Sequence, residues 1–167
     1  AWELEGGDGK GIDLIDIEQG WTLNHQDLKD ANIQRLSGRN HGHFGHGTAV
    51  LGIIAAVDNK RGGVGIAPRS NGKVVSQYRP TGDFNTADAI VCAVSALKNG
   101  DVLLLEAQTR IGSSSSGPAT GPFYPVEVER AAFDAIRLGT AKGITVVEAA
   151  GTGAQDLGSY TDVAGHH

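Results

Sequence analysis

The chain has 167 residues, a net charge of −5 and 25 glycines, a length suited to one domain that buries roughly 70% of its unfolded surface. The acidic balance (pI near 5.6) gives no electrostatic footprint for nucleic acid, and 40% hydrophobic against 20% charged residues excludes a disordered chain. The glycines follow no Gly-X-Y period, which excludes collagen and points to tight turns, and a lone cysteine, Cys92, excludes an internal disulfide framework.

The first apolar run, Ile12 to Ile17, follows Gly6, Gly7, Gly9 and Gly11 and is predicted to be a buried strand. From His46 to Asp58, Ala49, Val50, Ile53, Ile54 and Val57 recur at helical spacing. The apolar stretch within it, Ala49 to Val57, is well short of the ~18 residues of a membrane span, so no membrane partner is expected. Gly62-Gly63 and Pro68 mark a loop, and Lys73 to Tyr78 is a β-rich run. Thr86 opens a helix that ends before Gly100, with Ala87, Ile90, Val91, Val94 and Leu97 on its inner face.

Val102 to Leu105 reads as a strand, and Ile111 to Pro125, rich in Ser, Gly and Pro, as a long loop. Glu127 to Lys142 is predicted to be an amphipathic helix closed by Gly143, and Ile144 to Val147 another strand. Strands alternating with helices predict a three-layer αβα domain with a mostly parallel sheet. Ligands of such sheets bind at the carboxyl ends of the strands. There the sequence offers Asp16 and Glu18, Glu106, Glu148, and His46 at a helix start. Each acid taken singly is as well explained as a turn or cap residue, but acids inside apolar runs are costly to bury without partners.

Ile12-Asp13-Leu14-Ile15-Asp16 with His25-Gln26-Asp27-Leu28, and His46-Gly47-Thr48-Ala49-Val50 on a helix, resemble the aspartate region and the histidine motif of the subtilisin-like serine peptidases. Gly62 to Pro68, Gly100 to Leu105 and Val146 to Gly151 are similar to the segments that follow. The resemblance implies Asp16 as the acid that orients His46 and His46 as the general base. It implies that Glu106-Ala107-Gln108 pairs with an extended substrate strand, and that Thr152 stands where the family has its oxyanion asparagine. It calls for no cofactor and is compatible with a secreted protein.

Two departures qualify that likeness. The family's aspartate is followed by Ser or Thr and then Gly, whereas Asp16 is followed by Ile17 and Glu18. The family's serine stands about 160 residues after its histidine, a position that falls beyond His167. No Gly-Thr-Ser-Met-Ala type segment occurs in the sequence. The expectation is a single subtilisin-like domain over residues 1–167, shortened at its C-terminus, that hydrolyses acyl bonds in small esters or peptides. Ser113, Ser114, Ser115 or Ser116 is the candidate substitute nucleophile, against the plainer reading of a solvated Ser/Gly loop.

Two other functions stay open. One is a non-catalytic scaffold whose uncovered apolar face takes a partner or a second copy of the chain. The other is a metal-dependent hydrolase that uses His41, His43 and His46 with Asp16, Glu106 or Glu148.

Overall fold

The computed structural model describes residues 2–110 and 122–160. Its strands are β1 (Asp13–Glu18), β2 (Gln34–Ser37), β3 (Asn71–Ser76), β4 (Val102–Leu105), β5 (Gln108–Arg110), β6 (Phe123–Pro125) and β7 (Thr145–Glu148). The helices are α1 (Phe44–Ala55), α2 (Thr86–Ala96) and α3 (Arg130–Ala141). Ser113 to Ser116, the candidate nucleophiles, lie outside the described residues.

Five strands form one sheet in the order β2-β3-β1-β4-β7, and every pair in it is parallel. The central strand β1 is flanked by β3 and β4 and is buried from Leu14 to Glu18, as a strand covered on both faces must be, with Asp16 and Glu18 interrupting its apolar residues. Ile15, Ile17, Val75, Leu103 and Leu105 pack with α2 and α3 on one face, through Ile90, Val94, Ala132 and Ile136. Val74, Trp21, Leu28 and Leu51 of α1 form the second core on the other face. The expected αβα arrangement is therefore present, with α1 alone on one side.

The helices stop and start for local reasons. Asn85 caps α2 by accepting from the Asp88 backbone N–H, one residue before the expected start at Thr86. Lys142 closes the other end of the α2–α3 layer by donating its ammonium to the carbonyls of Val94 and Leu97. The expected helix over 127–142 is interrupted, because extended Glu129 separates a single 3-10 turn at Val126–Val128 from α3. Strands β2, β5 and β6 were not expected; β5 and β6 pair antiparallel, so the predicted loop 111–125 ends in a strand. No helix among the described residues is long and apolar enough to cross a membrane.

Candidate active site

The strand period decides which acids can meet His46. Alternate residues of β1 point to opposite faces. Ile15 and Ile17 face α2 and α3, so Asp16 and Glu18 face α1. His46 lies in the first turn of α1, over the carboxyl end of β1. Its Nδ1 is 2.6 Å from Glu18 Oε1. Asp16 sits one step down the same face, roughly 6.6 Å along the strand at ~3.3 Å per residue, and its Oδ2 accepts the Trp21 indole N–H at 2.7 Å. The expectation that Asp16 contacts His46 is thus corrected: Asp16 is bonded to Trp21, and the acid against His46 Nδ1 is Glu18.

With Glu18 as the acid, one part of the departure from the resemblance is removed, the missing glycine, while Glu stands for the aspartate and Gln19 for the Ser or Thr. Glu18-Gln19-Gly20 carries glycine two residues after the acid, which Asp16-Ile17-Glu18 does not. Gly20 is needed there, because a Cβ would come within 2.6 Å of the Gly42 carbonyl and 2.9 Å of the Phe44 ring. Acid-x-Gly at a strand end was the signal in the sequence that distinguished Glu18 from Asp16.

The backbone around the pair is tightly held. The Gln77 N–H donates to the Glu18 carbonyl at 2.8 Å, and the Ser76 hydroxyl to the Gln19 carbonyl at 2.8 Å. Gly47 brings α1 onto the loop after β1; a Cβ there would lie 2.5 Å from the Gly20 carbonyl and 2.8 Å from the Trp21 ring. The Thr22 N–H donates to the Thr48 hydroxyl at 2.8 Å, which fixes the same turn from the other side.

Three carboxyl groups feel one another here. Burial and then the neighbouring Glu106 charge push Glu18 up to about 8, against the Gln19 backbone N–H. Burial also raises Asp16 well above the usual range, opposed by the Trp21 hydrogen bond and reinforced by Glu18 and Glu106. Glu18 is nearly buried while the His46 side chain is 55% exposed, so the imidazole can meet a ligand and its acid cannot.

The remaining candidates fall into two places. Glu106 is half-buried at the end of β4, within electrostatic reach of Asp16 and Glu18, and Ala107 is buried. Gln108 starts β5, and its Oε1 accepts from both the backbone N–H and the hydroxyl of Thr152 at 3.0 and 3.1 Å. Glu148 faces the opposite side of the sheet, where its Oε1 accepts the Glu127 N–H, so it does not join the cluster. His41 stacks on Tyr78 with centroids 4.6 Å apart. Among the described residues no three His, Cys, Asp or Glu side chains converge into a group that could hold a metal ion, contrary to the metal reading.

The Subtilase family model, Peptidase_S8, matches residues 15–165. The chain belongs to the subtilase family. Subtilisin DY of Bacillus licheniformis is 31% identical over 154 residues, which are 89% of this chain and 50% of that protein. The chain therefore spans half the length of this curated relative. Among solved structures, the prenylagaramide maturation protease PagA superposes with a TM-score of 0.54 at 21% identity, over 80% of this chain and 44% of that one. The nisin leader peptidase NisP from Lactococcus lactis gives 0.52 at 23% identity, over 82% and 42%. Both show that the fold is shared.

Proposed function

We propose that this chain is a serine-type hydrolase of acyl bonds, in small esters or peptides, with Glu18 and His46 as its acid–base pair. The observation that carries this reading is the 2.6 Å contact between Glu18 and His46 at the carboxyl edge of a parallel sheet. Glu18 as carboxylate draws the imidazole proton to Nδ1 and leaves Nε2 to accept one from a hydroxyl nucleophile. The helix N-terminus disfavours imidazolium and so favours the accepting form. Family membership supports the reaction class.

The nucleophile is assigned to one of Ser113 to Ser116, between β5 and β6. Its oxygen bonds to the acyl carbon while His46 takes its proton. His46 then returns that proton to the leaving group, and water repeats the sequence to release the acid. The Thr152 N–H and hydroxyl are the candidate donors to the oxyanion, once Gln108 releases them. Ala107 and Gln108 are assigned to substrate pairing at the rim.

An organophosphonate probe with mass mapping tests this reading. The expected result is a label within 113–116 that is lost in His46→Ala and in the fourfold serine-to-alanine variant, together with turnover of an activated ester. A second reading, a scaffold that binds a partner or its own copy, draws on the exposed Ile53 (70%) of α1 and Val147 (47%) of β7. No label, no turnover and a stable oligomer by light scattering would select it.

A further inference from the structure

The position of Asp16 is not explained by packing. It has no solvent exposure and stands in the middle of β1 between Val74 and Leu104 of the neighbouring strands, where an apolar side chain would complete the core. Its Oδ2 accepts from the Trp21 indole, and its Oδ1 has no hydrogen-bond partner among the described residues. A fold that keeps so costly a group in its core uses it for something other than filling volume.

Trp21 supplies the use. Its backbone N–H donates to Asn40 Oδ1 at 2.7 Å, and its carbonyl accepts from Asn40 Nδ2 at 2.9 Å. Its ring, 2% exposed, lies directly against Gly47, the residue that follows His46. A continuous line of contacts therefore runs from Asp16 through the indole to the helical turn that carries the imidazole.

We propose that Asp16 is a positioning residue: its Oδ2 fixes the Trp21 indole, the indole fixes the first turn of α1 through Gly47, and that turn holds His46 Nδ1 against Glu18. The inference rests on the reading of Glu18 and His46 as the acid–base pair. Asp16 works here through an acceptor oxygen rather than a charge. Burial and the facing carboxyls of Glu18 and Glu106 favour its neutral form, against the Trp21 hydrogen bond and His46. Asparagine, which keeps the acceptor, is then a substitute; leucine, of similar size, is not.

The experiment compares Asp16→Asn, Asp16→Leu and Trp21→Phe with the unaltered protein. The first readout is the NMR resonance of the His46 Nδ1 proton, recorded above pH 8 where Glu18 is ionised, with Glu18→Gln identifying the signal of the bonded state. The second is ester turnover. Asp16→Asn keeps the resonance and a kcat within about twofold. Asp16→Leu and Trp21→Phe shift or lose the resonance and lower kcat ~10–100-fold with little change in KM, as expected for a misplaced base. A folded Asp16→Leu or Trp21→Phe with an unchanged resonance overturns the proposal, as does an Asp16→Asn that behaves like Asp16→Leu. Should Asp16→Leu fail to fold, Trp21→Phe decides. Absence of turnover in the unaltered protein would refute the hydrolase reading, while the resonance comparison would still decide the role of Asp16.

Discussion

Glu18 Oε1 and His46 Nδ1 stand 2.6 Å apart, joining the last residue of the central strand to the first turn of α1. Asp16, on the same strand face, serves Trp21 instead. The two acids therefore differ in what their loss removes. Glu18→Gln takes away the negative acceptor that selects the Nδ1–H tautomer, and kcat on an activated ester is expected to fall by ~10²–10⁴. Asp16→Asn is expected to leave most of the activity. Steady-state kinetics of the two variants on one ester checks the order, and equal losses would return Asp16 to the role of orienting acid.

The same pair sets a pH dependence. When Glu18 is protonated it donates to Nδ1 and drives the imidazole proton onto Nε2, where His46 cannot act as a base. Activity should accordingly rise with pH as Glu18 ionises, near the value of about 8 to which burial and Glu106 push it. Removing the Glu106 charge in Glu106→Gln relieves part of that push. The ascending limb of kcat/KM should then move to lower pH, and a limb that stays in place would disconnect Glu106 from the pair.

Much of this arrangement was legible in the sequence. The alternation of apolar runs with helical patterns predicted the parallel αβα sheet, and the first turn of α1 carries His46-Gly47-Thr48 over the strand end as the helical reading placed it. The acid was misplaced because Leu-Ile-Asp16 resembles the family's aspartate strand, whereas β1 runs one residue past the predicted Ile17 and ends on a second acid, Glu18. Glycine two residues after Glu18 was the local cue, and the position of α1 over the strand end brings that same-face acid within reach of His46. β2 was missed because Gln34–Ser37 is an edge strand with an exposed, polar sequence and no apolar alternation. The pairing of Gln108 with Thr152 joins residues 44 apart and has no local signature.

Stability should move opposite to activity across the same range. Glu18 and Glu148 have folded-state values raised by burial to about 8 and about 7 from 4.5. Between the unfolded and folded values the native state binds more protons than the unfolded one, so stability falls as pH rises. The loss begins near the unfolded value and levels off once both groups have ionised. Urea titrations from pH 5 to 9 should show this decline. Glu148→Gln should flatten the part below about 7 and leave the part contributed by Glu18. A midpoint that climbs with pH would contradict the sign.

Thr152 donates twice to Gln108, through its backbone N–H and its hydroxyl. A threonine hydroxyl extends less far than an asparagine amide, so Thr152→Asn is expected to raise kcat, and Thr152→Val to lower it by up to ~10²–10³. Gln108→Ala removes the competing acceptor and should tighten binding of a phosphonate transition-state analogue. Inhibition constants for that analogue across the three variants provide the measurement. If Thr152→Val changes neither kcat nor the inhibition constant, the oxyanion donors lie elsewhere.

Two glycines of the same helix should respond in opposite directions. At Gly47 a Cβ would meet the Gly20 carbonyl at 2.5 Å and the Trp21 ring at 2.8 Å. Backbone and a clamped indole cannot yield cheaply, so Gly47→Ala should cost ~1–3 kcal/mol as overpacking. The displacement falls between Trp21 and His46, so kcat should suffer more than KM. At Gly52 a Cβ meets nothing within 4 Å. There alanine gains helix propensity, and Gly52→Ala should stabilise the fold by ~0.5–1 kcal/mol with activity unchanged. Urea midpoints of the two variants, with ester kinetics on each, separate the effect of helix formation from that of placing the base. Equal stabilisation by both substitutions would show that α1 does not press on Trp21 as closely as the contact at Gly47 requires.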